Sequence, residues 1–328
     1  MAETTGIAWT TSSWNPWVGC TEVSPGCDNC YARELDRRYQ WGGGTHWGAG
    51  KPRHRTQNWR GPLAWNKKAA ATGQRWTVFP SLCDPFDNEV PEAWRADLFQ
   101  LIAATPNLTW LLLTKRIGNA AKMITGARPA DDGRGAWPWP NVWLGASVVN
   151  QEEADRDIPK LLATPAAKRF VSYEPALGPV DFTHIRERHG PDTLVLRSRD
   201  LRDPHINALE GFNHNGVQTK LDWLIVGGES SQGGAKARPF DLAWARSTVS
   251  QCKASGVPVF VKQLGSAIAV RNDSGDEWPD HDKFDDAIPN DYQPQYQGEY
   301  VEIRLKDRAG ADPAEWPEDL RVQEFPGG

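Results

Sequence analysis

Cysteine and methionine are scarce in this chain of 328 residues, which holds five of the first and two of the second. An odd cysteine count argues against a disulfide framework. No apolar run approaches the roughly 20 residues that carry a helix across a bilayer, so no membrane span is expected. The opening Met1-Ala2-Glu3-Thr4-Thr5-Gly6 lacks the basic-then-apolar pattern of a secretory signal. Cytoplasmic residence is therefore the expectation, and there thiols stay reduced and open to metal. No internal repeat is evident. Excess positive charge is missing as well: 37 Lys and Arg stand against 42 Asp and Glu, a net of -5. That balance does not favour nonspecific binding to long nucleic acid.

A hydrophobic share of 39% and a charged share of 24% describe a globular chain with a sizeable core. Seventeen tryptophans supply large anchors that fill an interior or line a cavity. One stretch is locally basic and aromatic. Lys51-Pro52-Arg53-His54-Arg55 and Lys67-Lys68 lie near Trp47, Trp59 and Trp65. Such a mixture suits a nucleotide or a single strand. A solvated loop beside core tryptophans is the plainer and preferred reading.

Three of the five cysteines, Cys20, Cys27 and Cys30, fall within eleven residues. Gly19, Pro25 and Gly26 mark the segment as a loop, not a core strand. Three soft thiolates on one loop suit an iron–sulfur cluster or a zinc ion. A cluster held by three thiolates leaves one iron open to a substrate or cofactor. Zinc in a structural site takes four ligands, and His46 or His54 would be the fourth. Cys83 and Cys252 read as buried small hydrophobes. Asp84 and Asp87 read as turn or helix caps before metal ligands.

Short apolar runs alternate with helical patterns. Strands are expected at Ile7–Trp9, Trp76–Pro80, Leu108–Thr114, Val142–Val148, Arg169–Tyr173, Trp223–Gly227 and Val257–Lys262. Helices are expected at Tyr31–Tyr39, Glu92–Ala104, Ile117–Ile124, Gln151–Leu162 and Asp241–Ser255. Repeated β–α units imply right-handed crossovers and a parallel sheet. The fold class is α/β, a partial or closed parallel β/α barrel over residues 1–266. A polar insertion is expected at about 184–220, and an irregular extension over 267–328 that packs on the barrel.

Ligands collect at the C-terminal ends of the strands in such barrels. There the sequence puts the cysteine loop, Thr114-Lys115-Arg116, Glu174, Gly227-Gly228-Glu229-Ser230 and Lys262. Turn chemistry accounts for Gly and Asp at strand ends better than for Lys, Arg and Glu. A polar cavity is expected, with Lys115, Arg116, Glu174, Glu229, Arg238 and Lys262 around one mouth. Salt bridges rimming the barrel are the competing account.

Asn15-Pro16-Trp17-Val18-Gly19-Cys20 followed by Cys27-Asp28-Asn29-Cys30-Tyr31-Ala32-Arg33 resembles the signature of the spore photoproduct lyase-like branch of the radical SAM superfamily. The whole chain resembles a radical-SAM-like family of phages and prophages. Further carriers are Trp9-Thr10, Leu113-Thr114-Lys115-Arg116, Tyr173-Glu174-Pro175, Gly227-Gly228-Glu229-Ser230, Ala237-Arg238-Pro239, Lys262-Gln263 and the closing stretch Asp312–Val322. The resemblance implies a [4Fe–4S] cluster on Cys20, Cys27 and Cys30, with S-adenosylmethionine on the open iron. Reductive cleavage, fed by an electron donor, would then give a 5′-deoxyadenosyl radical acting on a nucleic-acid base or nucleotide. Thr114, Lys115, Glu174, Gly227, Gly228, Glu229, Ser230, Arg238 and Lys262 are the expected cofactor-binding residues. Two features depart from the superfamily. Six residues separate the first two cysteines where three are usual, and the Gly-Gly-Glu follows a late strand, not an early one. A noncatalytic zinc- or cluster-stabilised protein that binds nucleic acid or protein is the alternative.

Overall fold

The computed structural model describes residues 2–128, 136–186, 205–214, 217–232, 234–271, 295–297, 300–303 and 305–327. The fold is mixed α/β. Seven strands form one sheet: β1 (Ser12–Ser13), β2 (Trp76–Phe79), β3 (Leu108–Thr114), β4 (Val142–Ser147), β5 (Lys168–Tyr173), β6 (Trp223–Gly227) and β7 (Val259–Gln263). They lie in their sequence order, as successive β/α units demand. Among the described residues six α-helices accompany them: α1 (Tyr31–Tyr39), α2 (Gly61–Thr72), α3 (Glu92–Ala104), α4 (Ile117–Ala127), α5 (Gln151–Ala163) and α6 (Leu242–Ser255). No helix among the described residues is long and apolar enough to cross a membrane.

The chain divides into two compact units. The first is Met1–Ser147 with Lys160–Phe170, and the second is Val148–Pro159 with Val171–Gly328. The expected insertion and the expected C-terminal extension both belong to the second. Residues 187–204 and 215–216 of that insertion lie outside the described residues, as do 272–294, 298–299, 304 and 328 of the extension.

In the first unit β1, β2, β3 and β4 pair in parallel. β3 and β4 are buried almost throughout, which explains their nearly unbroken apolar sequence. Two expectations need correcting here. Ile7–Trp9 is a turn, and the first strand is instead the polar pair Ser12–Ser13. Both residues have partners: the Trp76 indole donates to Ser12 Oγ at 2.8 Å, and Ser13 N donates to Ala2 O at 3.1 Å. Lys67 and Lys68, read as part of a loop, stand on α2. That helix starts with Pro62 near its N-terminus and stops at Gly73, whose φ is +66°.

β4 contains Gly145 because β5 crowds it. A Cβ there would lie 2.4 Å from the ring of Phe170, itself fully buried. Gly145→Ala is expected to destabilise the protein by about 1–3 kcal/mol, the usual cost of overpacking a close-packed core. Urea unfolding measures it. An unmoved midpoint would mean that the ring turns aside freely.

In the second unit β6 and β7 are parallel, with a bulge between Val226 and Gly227. α6 is capped by Asp241, whose carboxylate accepts from Ala243 N at 2.8 Å, and ends at Gly256. The C-terminal segment covers the outer side of β7. Val261 N donates to Val322 O at 2.8 Å, and Glu324 N to Val259 O at 3.0 Å. An edge strand that would otherwise stay open to other chains is thereby paired.

Candidate functional site

The cysteine loop leaves the sheet beside the C-terminal end of β2. Gly19 N donates to Leu82 O at 3.1 Å, and Gly19 pairs with Cys83 in a parallel bridge. Only glycine fits there. Its φ is +116°, and a Cβ would lie 2.4 Å from the His46 carbonyl oxygen. Asn15 Oδ1 accepts from Leu82 N at 2.6 Å and fixes the same register. Cys20 therefore emerges next to Cys83 and Asp84. Pro25–Cys27 is a 3-10 turn capped by Ser24, whose hydroxyl accepts from Gly26 N at 3.0 Å. Cys30 is the residue that opens α1. Cys27 is buried, and Cys20 and Cys30 are half-buried.

Asp84 organises the strand ends around the loop. Its Oδ1 accepts from Thr114 Oγ1 at 2.7 Å and from Phe86 N at 2.9 Å. Its Oδ2 accepts from Lys115 N at 3.1 Å and from Arg116 Nη1 at 3.0 Å. Arg116 Nη1 also reaches Cys20 Sγ at 3.3 Å, and its Nη2 donates to Thr21 O. Lys115 Nζ donates to Ser147 Oγ at the end of β4, at 2.7 Å. Residues following β1, β2, β3 and β4 thus meet at one end of the first unit. Asp84 serves as turn cap and ion-pair partner, in line with its expected cap role.

A second buried ion pair supports the loop from behind. Arg53 Nε donates to Asp87 Oδ2 at 2.7 Å, and neither side chain is appreciably exposed. Arg53 Nη2 donates to Thr21 Oγ1 at 2.6 Å, and its Nη1 to the carbonyls of His46, Gly48 and Lys51. Arg53 was read as part of a solvated basic stretch. It is instead the inner strut that ties residues 46–51 to the cysteine loop. His46, a candidate fourth zinc ligand, has its two ring nitrogens on the carbonyls of Pro52 and Trp41.

Electrostatics at the thiols follow from this packing. Burial, aided by Asp84, pushes the Cys20 thiol up to about 12 against the pull of Arg116. Burial also raises Cys30, opposed by hydrogen bonding from Arg33 and by the charge of Lys115. A cation bound among such thiols would displace their protons. The donor chemistry, three soft thiols on one loop with an Arg at one sulfur, fits a thiolate-held centre. Among the described residues no three Cys, His, Asp or Glu side chains are grouped as ligands of a metal ion. The fit is one of donor type and loop position.

A family model described as "Protein of unknown function (DUF5131)" matches residues 4–310. The chain belongs to that family. No curated protein and no solved structure matches. The matched span takes in the cysteine loop and every expected cofactor-binding residue, and it ends before the Asp312–Val322 stretch.

The remaining expected residues belong to the second unit, at the ends of β5, β6 and β7. Lys262 forms an ion pair with Glu174. Ala176 N donates to Gly227 O at 3.0 Å, which joins the loop after β5 to the end of β6. Glu229 is nearly buried, and its two carboxylate oxygens accept from Arg238: N and Nε at Oε2, at 2.9 and 3.1 Å, and Nη2 at Oε1, at 2.6 Å. Gln263 Nε2 donates to Gly228 O at 2.8 Å and to Ser230 Oγ at 2.7 Å. A Cβ on Gly228 would lie 2.3 Å from Leu264 O, so the close approach of the segment directly after β7 accounts for this glycine. The charged residues after these strands are paired with one another. Among the expected residues of the first unit, Thr114 and Lys115 join the cysteine loop through Asp84.

Proposed function

We propose that this chain is an iron–sulfur enzyme of radical SAM type, built on a partial β/α barrel and acting on a nucleic-acid base or nucleotide. One observation carries the reading. The three-thiol loop stands where residues after four consecutive parallel strands converge, the end at which β/α barrels do chemistry. Cys20, Cys27 and Cys30 would hold the cluster. Bound there with S-adenosylmethionine, such a cluster would supply one-electron reduction for radical chemistry on that cofactor.

The chain's own residues have three tasks. Arg116 donates to the Cys20 sulfur, which stabilises negative charge on that ligand. Asp84 holds Arg116 and the backbone of Lys115 in place. Lys115 brings a cation beside Ser147 at the same strand ends, suited to a carboxylate or phosphate. Glu174, Gly227, Gly228, Glu229, Ser230, Arg238 and Lys262 are proposed for the cofactor on the strength of the resemblance, and an electron donor is the further partner required.

Anaerobic reconstitution tests the proposal. Loaded protein should be brown, absorb broadly near about 400 nm, and carry about four irons per chain. Under reduction it should convert S-adenosylmethionine to 5′-deoxyadenosine and methionine, followed by chromatography. A colourless protein with one zinc would replace this reading with the noncatalytic one. An intact cluster that takes up no S-adenosylmethionine would end the radical reading alone.

A further inference from the structure

The chain's charge is unevenly distributed. Residues 31–75 carry ten Lys and Arg against two acids, whereas the rest of the chain carries 27 against 40. The whole segment belongs to the first unit. Arg53 uses its charge internally. Arg37, Arg55 and Lys68 face Glu34, Asp97 and Glu3. Arg38, Lys51, Arg60 and Lys67 are exposed and face no carboxylate among the described residues. A protein with a net charge of -5 gains nothing in solubility from concentrating unpaired cations in one segment. Their placement suits a polyanion.

Aromatic rings accompany the cations. α1 ends in Tyr39, which is 58% exposed. Its ring lies 5.4 Å from that of Trp41, with the planes 33° apart, and the Arg38 guanidinium lies 5.6 Å from the Tyr39 centroid. The bend between the rings is made by Gln40 at φ +44°, a conformation that side-chain-bearing residues seldom adopt. Gly42 then packs on the His54 ring, where a Cβ would lie 2.6 Å from Nδ1. Gly43 and Gly44 have open space where a side chain would stand. The rings are thus presented on a fixed turn with nothing built over the backbone beside them. The turn is also wired to the cysteine loop. Asp36 accepts from His46 N at 2.6 Å, and Gly48 N donates to Cys20 O at 2.9 Å.

We infer that this surface binds single-stranded nucleic acid, with bases stacking on Tyr39 and Trp41 and phosphates on Arg38 and Lys51. Rings that accept any base face, beside cations that follow a backbone, are the physical basis of sequence-tolerant single-strand binding. A duplex hides its base faces and would have no use for the ring pair. The inference narrows the substrate clause of the proposed function and rests on that clause; it does not need the metal.

Fluorescence anisotropy of the full-length chain with labelled oligo-dT and oligo-U of about 15 nucleotides tests it, within the usual span of single-strand sites. Both probes should bind, more weakly as salt rises from about 50 to 200 mM, and the tighter one identifies DNA or RNA as the source. Tyr39→Ala with Trp41→Ala should weaken binding about tenfold or more at unchanged salt slope, while Tyr39→Phe with Trp41→Phe should restore it. Arg38→Ala with Lys51→Ala should flatten the log–log salt slope by about 1.4, two phosphate contacts' worth. Circular dichroism confirms that each variant is folded. A variant lacking all three loop cysteines should bind as the parent does, so failure of the cluster leaves this result standing. Absence of binding at low salt, preference for a duplex of equal length, or ring variants that bind like the parent would each overturn the inference.

Discussion

Cys20→Ala, Cys27→Ala and Cys30→Ala are each expected to take bound iron from about four per chain to near none after anaerobic reconstitution. Each would remove one of the three proposed protein ligands; among the described residues no three His, Cys, Asp or Glu side chains, these cysteines included, are grouped as metal ligands. The candidate substitute, His46, has its ring nitrogens on backbone carbonyls. Cys83→Ala and Cys252→Ala serve as matched controls and should leave iron unchanged. Cys252 is fully buried in α6, and its thiol is raised to about 12, chiefly by burial, which suits an inert core residue. Cys83 is the sharper control because it pairs with Gly19, one residue from Cys20. Iron and sulfide assays with the visible spectrum read the outcome. Loss of iron in Cys83→Ala would move the ligand set to include the end of β2, and a fully coordinated cluster would have no open iron for a cofactor.

Much of the fold is legible in the sequence because hydrophobic spacing reports burial directly. α1 and α3 have the expected limits, and β3 and β4 are buried on both faces as their apolar runs require. α2 escapes detection because only Pro62, Trp65 and Ala69 face inward, and the rest is alanine, lysine and other solvated side chains. Its signals are the flanking Pro62 and Gly73, which mark the ends of a helix without any apolar stripe. β1 escapes for the opposite reason. Ser12 and Ser13 are polar yet buried, made acceptable by hydrogen bonds to distant residues. The nearby Ile7-Ala8-Trp9 is apolar for another purpose. Trp9 is a plug whose ring lies 4.5 Å from Phe79 and 6.4 Å from Phe170.

The site divides along the same line. Three cysteines on a glycine-bearing loop, and Thr114-Lys115 directly after an apolar strand, announce themselves by residue type and position. Arg53 does not. A basic residue between Pro52 and His54 reads as solvated, and only the fold brings Asp87, 34 positions away, against it. Glu229 and Lys262 are legible as charges at strand ends, but their ion pairs with Arg238 and Glu174 are products of tertiary packing. Charge at a strand end is therefore a weak guide to a ligand. It has a ready partner in any other strand end.

Asp84→Ala is expected to cost the metal-free protein about 3–5 kcal/mol, the usual result of removing one partner of a buried ion pair. Asp84 and Arg116 are each less than a tenth exposed along their side chains. Without the carboxylate the Arg116 guanidinium keeps only the Cys20 sulfur and the Thr21 carbonyl. Thr114 Oγ1, Lys115 N and Phe86 N lose their acceptor as well. Against a total stability of about 5–15 kcal/mol for a typical domain, that loss is large. Thr114→Val removes two hydrogen bonds, the one its Oγ1 donates to Asp84 and the one it accepts from Arg116 N at 2.8 Å, and should cost about 1–3 kcal/mol. Arg116→Met combined with Asp84→Ala should recover part of the loss, because the charge left unpaired is then gone too. Urea unfolding of the three variants and the parent gives the comparison. If Asp84→Ala alone costs less than about 1 kcal/mol, Asp84 does not hold the strand ends together. If the double variant is no better than the single one, the cost lies in the turn at Phe86, and not in the charge beside Cys20.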